Sequence, residues 1–401
     1  MSFKNQTVES SLAVTGKTDT VELKNKQLPL PPLAFKWAFL NAPPPVVSTA
    51  TYKAYASKMD LIRLFAIASI VWGHSLFGWE KQVFTGFGQQ VVQVWLMQMG
   101  RIGTVSFFLI SGFFFGDKVK TFTVPGYLRY RFFSLIVPWL IFIAIFVVIQ
   151  LLQILSINKI VSNSTGGTLT LVYNLFTAAI FHAAFWFIPV SIISACLLIV
   201  CKKAVNKLWF GVLLGSITLF YSINLYHGWV SANHAKSFLG YAFFMWLGIQ
   251  LKVYLAYLKA LVEKLQWRFL LPAILLSFLL ACREAWLLKS IGCIDAFASI
   301  RFSNGVVSFF IFLTILKIPK THWVDTIKPH KYIYGVYLVH SVIILQLMPL
   351  LSNFTIKHNL FASIPLAVLF QLLVFGGIMA VTYGVVIAIK NSPLRFIVGR
   401  A

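Results

Sequence analysis

The sequence is poor in charge and poorer still in acid. Of its 401 residues only 10 are Asp or Glu, and 11% carry any charge, against 59% that are hydrophobic. A soluble domain of this length cannot be built from so little charge, which excludes the globular enzyme classes at the outset. Cysteine is sparse as well. Cys196, Cys201, Cys282 and Cys293 show neither CxxC nor metal-ligand spacing, so the sequence offers no disulfide framework and no metal site. The N-terminus lacks a basic segment running straight into an apolar core, which excludes a cleavable signal peptide. No internal repeat is visible. The net charge of +24 would suit a nucleic-acid partner, but the basic residues fall in short clusters between apolar runs, which is not the layout of a phosphate-binding surface.

What the chain has is apolar length. Mean hydropathy is +0.83, and ten runs approach the span of a bilayer, at residues 59–79, 94–116, 132–156, 184–201, 208–226, 238–254, 268–288, 302–317, 332–351 and 361–389. Loop charge supports that count. With the N-terminus in the cytoplasm, the segments on that side hold 25 Lys and Arg and the opposite loops six, while Arg63, Arg101 and Arg283 fall inside spans. The expected fold is an all-α polytopic membrane protein of about ten transmembrane helices with both termini cytoplasmic. Residues 1–55, with proline clusters at 28–33 and 43–45, read as a flexible cytoplasmic tail, within which 34–40 could lie on the membrane surface. Residues 56–399 form the membrane domain. The long segment 156–183 turns from polar to apolar and is a candidate to dip back into the bilayer.

The run Met59–Trp79 carries the most pointed arrangement. Asp60 and Arg63 stand at its start and His74 near its far end. Arg63 and His74 are eleven residues apart, three helical turns plus about 20°, so they share one face with a rise of about 16 Å. Ionisable groups inside a span usually face a bundle interior or a wet cavity and mark function. The plain alternative is a snorkelling arginine and a histidine bonded to a neighbouring carbonyl. Other polar groups follow. Arg101 sits in an apolar run after Gly100, where snorkelling and a site role are both open. Ser111-Gly112-Phe113 reads first as close helix packing. Arg129 and Arg131 precede a span at its cytoplasmic mouth, where arginine forks suit phosphate but also serve topology. Trp186 belongs to an aromatic belt, and Tyr337 and His340, three residues apart, share a helix face. Arg283-Glu284 could be a local ion pair, and Asp295 a solvated loop carboxylate.

Taken in order, Asp60-x-x-Arg63…His74, Phe107-Phe-Leu-Ile-Ser-Gly-Phe113, Arg131…Pro138, Trp186-Phe187, Tyr334-Gly-Val-Tyr-Leu-Val-His340 and Asn391-Ser-Pro-Leu-Arg395 resemble the membrane-bound acyltransferase-3 family, which includes bacterial O-acetyltransferases of surface polysaccharides. The resemblance covers about residues 56–399. It implies a ten-helix core in the bacterial inner membrane that moves an acyl group, usually acetyl, from cytoplasmic acyl-CoA to a glycan hydroxyl. Acyl-CoA is then a donor substrate, and no permanently bound cofactor is implied. By that likeness His74 is the catalytic residue, with Arg63 and Asp60 in the same motif. Arg131 fits the inner-loop basic motif, but the family's further arginine three residues on is Ser134 here, with Arg129 upstream instead. Some relatives carry an additional esterase-like domain, and the stand-alone type is the expectation here.

The chemistry read from the residues agrees. A sugar hydroxyl needs a base to remove its proton in the transition state, and histidine, with a reference pKa near 6.5, suits that task. The thioester must be kept from bulk water, which a helix interior provides. Arg101, Ser111, Trp186, Tyr337 and His340 are candidate supporting residues. The competing class is a multi-helix transporter or glycan flippase, against which stand the missing repeat and the lack of visible Gly/Pro-broken helix pairs.

Overall fold

A computed structural model describes residues 49–76, 79, 84, 86–157, 168–181, 184–231, 236–319 and 322–399. The expected tail up to residue 48, its surface segment 34–40 and the polar start of the 156–183 segment lie outside these residues. The described residues all fall in one unit that runs from Pro43 to Ala401.

Every regular element among the described residues is helical. In chain order they are α1 (Thr49–His74), α2 (Phe87–Met99), α3 (Ile102–Phe115), α4 (Val124–Arg131), α5 (Val137–Ile157), α6 (Thr168–Phe181), α7 (Phe187–Val200), α8 (Leu208–His227), α9 (Phe238–Val253), α10 (Leu255–Lys264), α11 (Trp267–Ser290), α12 (Phe302–Lys317), α13 (His322–Ile327), α14 (Pro329–Lys357) and α15 (Ile364–Lys390). Six segments are long and apolar enough to cross a membrane, and up to eight if each of two bent helix pairs is one span. α1 falls outside that set because Lys58, Asp60 and Arg63 interrupt its apolar run, and α12 because it has only 16 residues.

The helix bounds follow the sequence reading closely, with informative exceptions. α1 starts ten residues before Met59 and stops at His74 rather than Trp79. The second expected span is two helices, α2 and α3, broken at Gly100-Arg101. α9 turns by 88° into α10, whose apolar face Leu255, Leu258 and Val262 is buried. α6 and the segment Ala184–Val200 meet at 66°, a bend that a broken span and a re-entrant segment share. Between α4 and α5 the helix shifts to π register over Phe132–Ile136. Pro138 has no N–H to give the Ser134 carbonyl, which removes one α-type bond at that point.

α1 is central, with contacts to α2, α3, α12, α14 and α15. Water drives none of this association inside a bilayer, so close packing must do it, and small residues permit that. A Cβ on Gly112 of α3 would lie 1.9 Å from the Met245 carbonyl oxygen of α9, and one on Gly248 of α9 would lie 2.1 Å from the Leu109 oxygen of α3. The Ser-Gly-Phe segment is therefore a backbone-to-backbone contact at its glycine. Two apolar clusters result. One surrounds α3 and α9 and includes Phe108, Phe113, Tyr241 and Met245; the other surrounds α5 and α14 and includes Trp139, Ile143, Ile333 and Tyr337.

Substituting Gly112→Ala forces α3 and α9 apart, because the obstacle is backbone. The expected cost is about 1–3 kcal/mol, read as a lowered unfolding temperature of detergent-purified protein, with Gly376→Ala in open space as the neutral control.

Candidate active site

At the end of α1 that carries Arg63, a cavity of about 310 Å³ opens along the seam between the two clusters. Ile110, Phe115, Tyr127 and Met245 line it from one cluster, and Ile188, Ile333 and Tyr337 from the other. Its polar lining is Arg63, Ser111, Arg131, Ser134, Ser191, His330 and Tyr334. Four residues singled out in the sequence, Arg63, Ser111, Arg131 and Tyr337, therefore share one cavity.

Asp60 organises the mouth. Its carboxylate accepts from the Arg63 guanidinium and meets the His330 ring at 2.7 Å from Nδ1. Arg63 lies over the Phe114 ring at 4.4 Å, so its cation is held by a carboxylate and an aromatic face together. Arg131 is placed by the π-shifted turn, which sets both it and Ser134 on the cavity wall. Its guanidinium stands 5.2 Å from the Tyr130 ring centre, and its buried Nε has no hydrogen-bond partner among the described residues. A guanidinium with an unspent donor on a cavity wall is suited to an anionic ligand. Arg129 is exposed on α4 and does not line the cavity.

The deep end of the cavity is aromatic. Tyr337 contacts Phe187 at 5.8 Å and donates its hydroxyl proton to the Ala184 carbonyl. Beyond it lies His340, fully buried, with ring centres 5.9 Å from Tyr337 and 5.5 Å from His74. His340 Nδ1 approaches the Val336 carbonyl at 3.2 Å and Nε2 approaches Ser341 Oγ at 3.4 Å. His74 itself is exposed. α1 and α14 thus run side by side with two matched pairs, Asp60 against His330 at one end and His74 against His340 at the other. Trp186 is buried, its ring tilted against Tyr241 at 5.1 Å, and does not line the cavity.

The turn that bears His74 is braced by the α2–α3 break. Trp72 Nε1 donates to the Leu96 carbonyl at 2.8 Å, Ser69 Oγ to the Met99 carbonyl at 2.6 Å, and a Cβ on Gly100 would lie 2.4 Å from Gly73 Cα. Arg101 caps α3 at this break, far along the chain from the Arg63 mouth, and its carbonyl accepts from Asn304 Nδ2 at 3.2 Å. Behind the break sits a residue that no motif or spacing singles out. Arg301 is fully buried. It donates to the Ala298 carbonyl at 3.1 Å, to the Ala281 carbonyl at 2.7 Å and to Gln98 Oε1, and Gln98 Nε2 in turn donates to Asn304 Oδ1 at 2.9 Å. Burial lowers the Arg301 pKa to about 10, with Glu284 opposing the shift, so the group stays charged at neutral pH. Glu284 does not pair with Arg283. It accepts from the Ser303 backbone N–H at 3.1 Å and from the Ser303 and Tyr226 hydroxyls. Asp295 is half-buried and close enough to Arg301 to act on its charge, which replaces the expected solvated carboxylate. His330, Tyr334 and Ser191 were also missed as cavity residues. His330 and Tyr334 carry one sequence signal, a helix start beside Lys328 and Lys331; Ser191 carries none.

These features define a multi-pass helical membrane protein with a polar-mouthed, aromatic-floored cavity leading to a histidine pair. The chain belongs to the acyltransferase-3 family: the family's model, described as an acyltransferase domain, matches residues 57–389. No curated protein and no solved structure matches the chain.

Removing Gln98 tests the brace. Gln98→Leu leaves an Arg301 N–H and an Asn304 acceptor unpaired in a buried site. It should cost about 1–3 kcal/mol, seen as a lower unfolding temperature, whereas Gln90→Leu, whose amide bonds only the Phe84 carbonyl, should cost less.

Proposed function

We propose that the chain is an integral-membrane O-acyltransferase that takes an acyl group, acetyl in the first instance, from cytoplasmic acyl-CoA and transfers it to a hydroxyl of a cell-surface glycan or its precursor. In this reading ten helices cross a bacterial inner membrane, both termini are cytoplasmic, and the Arg63 end of α1 faces the cytoplasm. The observation that carries the reading is the alignment of the Arg63–Arg131 cavity, Tyr337, His340 and His74 along α1 and α14.

The donor fits the cavity by size and charge. At about 310 Å³ it stands near the lower limit of ligand sites. It has room for the acyl group and the arm that bears it, and leaves the phosphates at the rim with Arg131, Arg63 and His330. Asp60 keeps Arg63 aimed at that rim. The aromatic lining of Phe107, Phe187 and Tyr337 keeps water from the thioester. His74 acts as general base. It takes the acceptor hydroxyl proton as the oxygen attacks the thioester carbonyl; the carbon–sulfur bond then breaks and the departing thiolate takes up a proton. His340 lies between the cavity floor and His74. For the acyl carbon to reach His74, the Tyr337–Ala184 hydrogen bond must open, which makes Tyr337 the residue that separates the two substrates at rest.

The test uses protein purified in nanodiscs with radiolabelled acetyl-CoA, with and without a host glycan extract. His74→Ala should elute as folded protein and lose about 10²-fold or more in transfer. Arg131→Ala should raise KM for acetyl-CoA about tenfold with a smaller effect on kcat. A folded His74→Ala protein with full transfer overturns the assignment of the base. Absence of CoA release with every acceptor overturns the transferase reading in favour of transport.

A further inference from the structure

Three features stand outside the proposed reaction: the Arg301 clamp, the basic surface around α10, and Arg283. The clamp is closed, with its donors spent on carbonyls. The α10 surface holds basic residues of the kind that loop charge alone accounts for. Arg283 has no such account. It lies on α11 seven residues before the helix end, about 10 Å along the axis, and it is exposed on a helix whose best membrane-crossing window is only 28% buried. It makes no hydrogen bond and no ion pair among the described residues, because the adjacent Glu284 is turned toward Ser303 and Tyr226.

A guanidinium facing lipid without a counter-charge is costly, most at mid-bilayer and less toward the interface. The protein does not supply the anion, so the surroundings must. The shape of the surface says in what form. Arg283 lines two apolar grooves, one on each flank of α11. A groove of about 370 Å³ between α2 and α11 is lined by Val91, Trp95, Leu279 and Trp286. Another of about 480 Å³, between α8, α11 and α12, is lined by Leu219, Ile223, Leu280 and Phe302 and also by Glu284, whose carboxylate is taken up by Ser303 and Tyr226. One cation at the meeting point of two apolar channels matches an occupant with one anionic head and two apolar chains.

We propose that Arg283 and these two grooves form a binding site for an anionic phospholipid that straddles α11, its phosphate on the guanidinium and one chain in each groove. Arginine takes a phosphate through two parallel N–H bonds, which lysine does not reproduce. The site touches the catalytic region through α11 and through α2, whose Val91 and Trp95 line one groove and whose Leu96 carbonyl braces Trp72. The Ala281 carbonyl that receives Arg301 lies two residues from Arg283, so a seated lipid stiffens the turn that anchors the clamp behind His74. The binding claim itself does not depend on the acyltransferase reading.

Native mass spectrometry of the detergent-purified full chain tests it, with phosphatidylglycerol or phosphatidylcholine added. Wild type should retain one phosphatidylglycerol more than Arg283→Gln, and Leu280→Trp, which fills one groove and keeps the charge, should lose the same lipid. Arg283→Lys should retain it partially. Phosphatidylglycerol should raise the unfolding temperature of wild type and not of Arg283→Gln, which also reports that the variant is folded. The proposal is overturned if wild type and Arg283→Gln retain equal numbers of lipids, if phosphatidylcholine is held as well as phosphatidylglycerol, or if excess inorganic phosphate displaces the lipid. It is overturned equally if the mutation instead abolishes a dimer, which would assign the surface to a second copy.

Discussion

The close backbone approach of α1, α3 and α9 is the constraint on which the rest of the structure depends. α3 is pressed between the other two. A Cβ at Gly103 would lie 2.2 Å from the Ala66 oxygen of α1, and one at Gly112 1.9 Å from the Met245 oxygen of α9. Helices in lipid gain nothing from leaving water, so dispersion and short polar contacts at such crossings carry the association. The same approach sets the site. With α3 held against α9 on one side and α1 on the other, Ser111 faces the cavity and the Gly103 N–H donates to Ser69 Oγ at 3.0 Å, which fixes the upper half of α1. His74 is therefore placed by the glycine crossings of α3 together with the bonds of its own neighbours Ser69 and Trp72.

The break at Gly100-Arg101 is part of that arrangement. An unbroken helix over 87–115 would carry its carbonyls along one ladder. The interruption frees the Leu96, Met99 and Arg101 carbonyls for Trp72, Ser69 and Asn304. Freed backbone groups at membrane depth are tolerated when other helices satisfy them. Here they are met by the helix that carries His74 and by the loop that carries Arg301. The π-shifted turn at Phe132–Ile136 works alike at the opposite end, where the Leu135 carbonyl accepts from the Tyr334 hydroxyl at 2.5 Å.

Much of this was legible in the residues because hydropathy and helical periodicity are local. The runs at 208–226, 238–254 and 302–317 became helices with nearly the same ends, and the eleven-residue spacing of Arg63 and His74 did place both toward α14. The Asp60–Arg63 and Tyr337–His340 neighbours were readable by the same rule. What was not legible depends on partners far along the chain. Nothing local tells Arg301, which is sealed, from Lys289, which reaches Gln93 at the surface of the same region. The pairing of His330 with Asp60 spans 270 positions. The Arg283-Glu284 pair misled for the converse reason: adjacency on a helix does not make two side chains face each other.

The arginines, taken together, show how structural and binding roles separate in such a fold. A buried guanidinium needs either a counter-charge or enough oriented dipoles to occupy its donors. Arg301 has the dipoles, with two backbone carbonyls and an amide at close range, and it is fully buried. Arg63 has the counter-charge in Asp60, yet that carboxylate is shared with an exposed histidine, so the pair is anchored without being closed. Arg131 has neither a carboxylate nor a full set of carbonyls, only the Tyr127 hydroxyl and aromatic faces, and it borders open volume. Completeness of partners falls from Arg301 to Arg63 to Arg131 as access to the cavity rises. A cation whose donors are spent holds the protein together, and one whose donors are left over is held ready for an anion. By that measure Arg131, on the cavity wall, keeps unspent positive charge, as the donor entry proposed above requires.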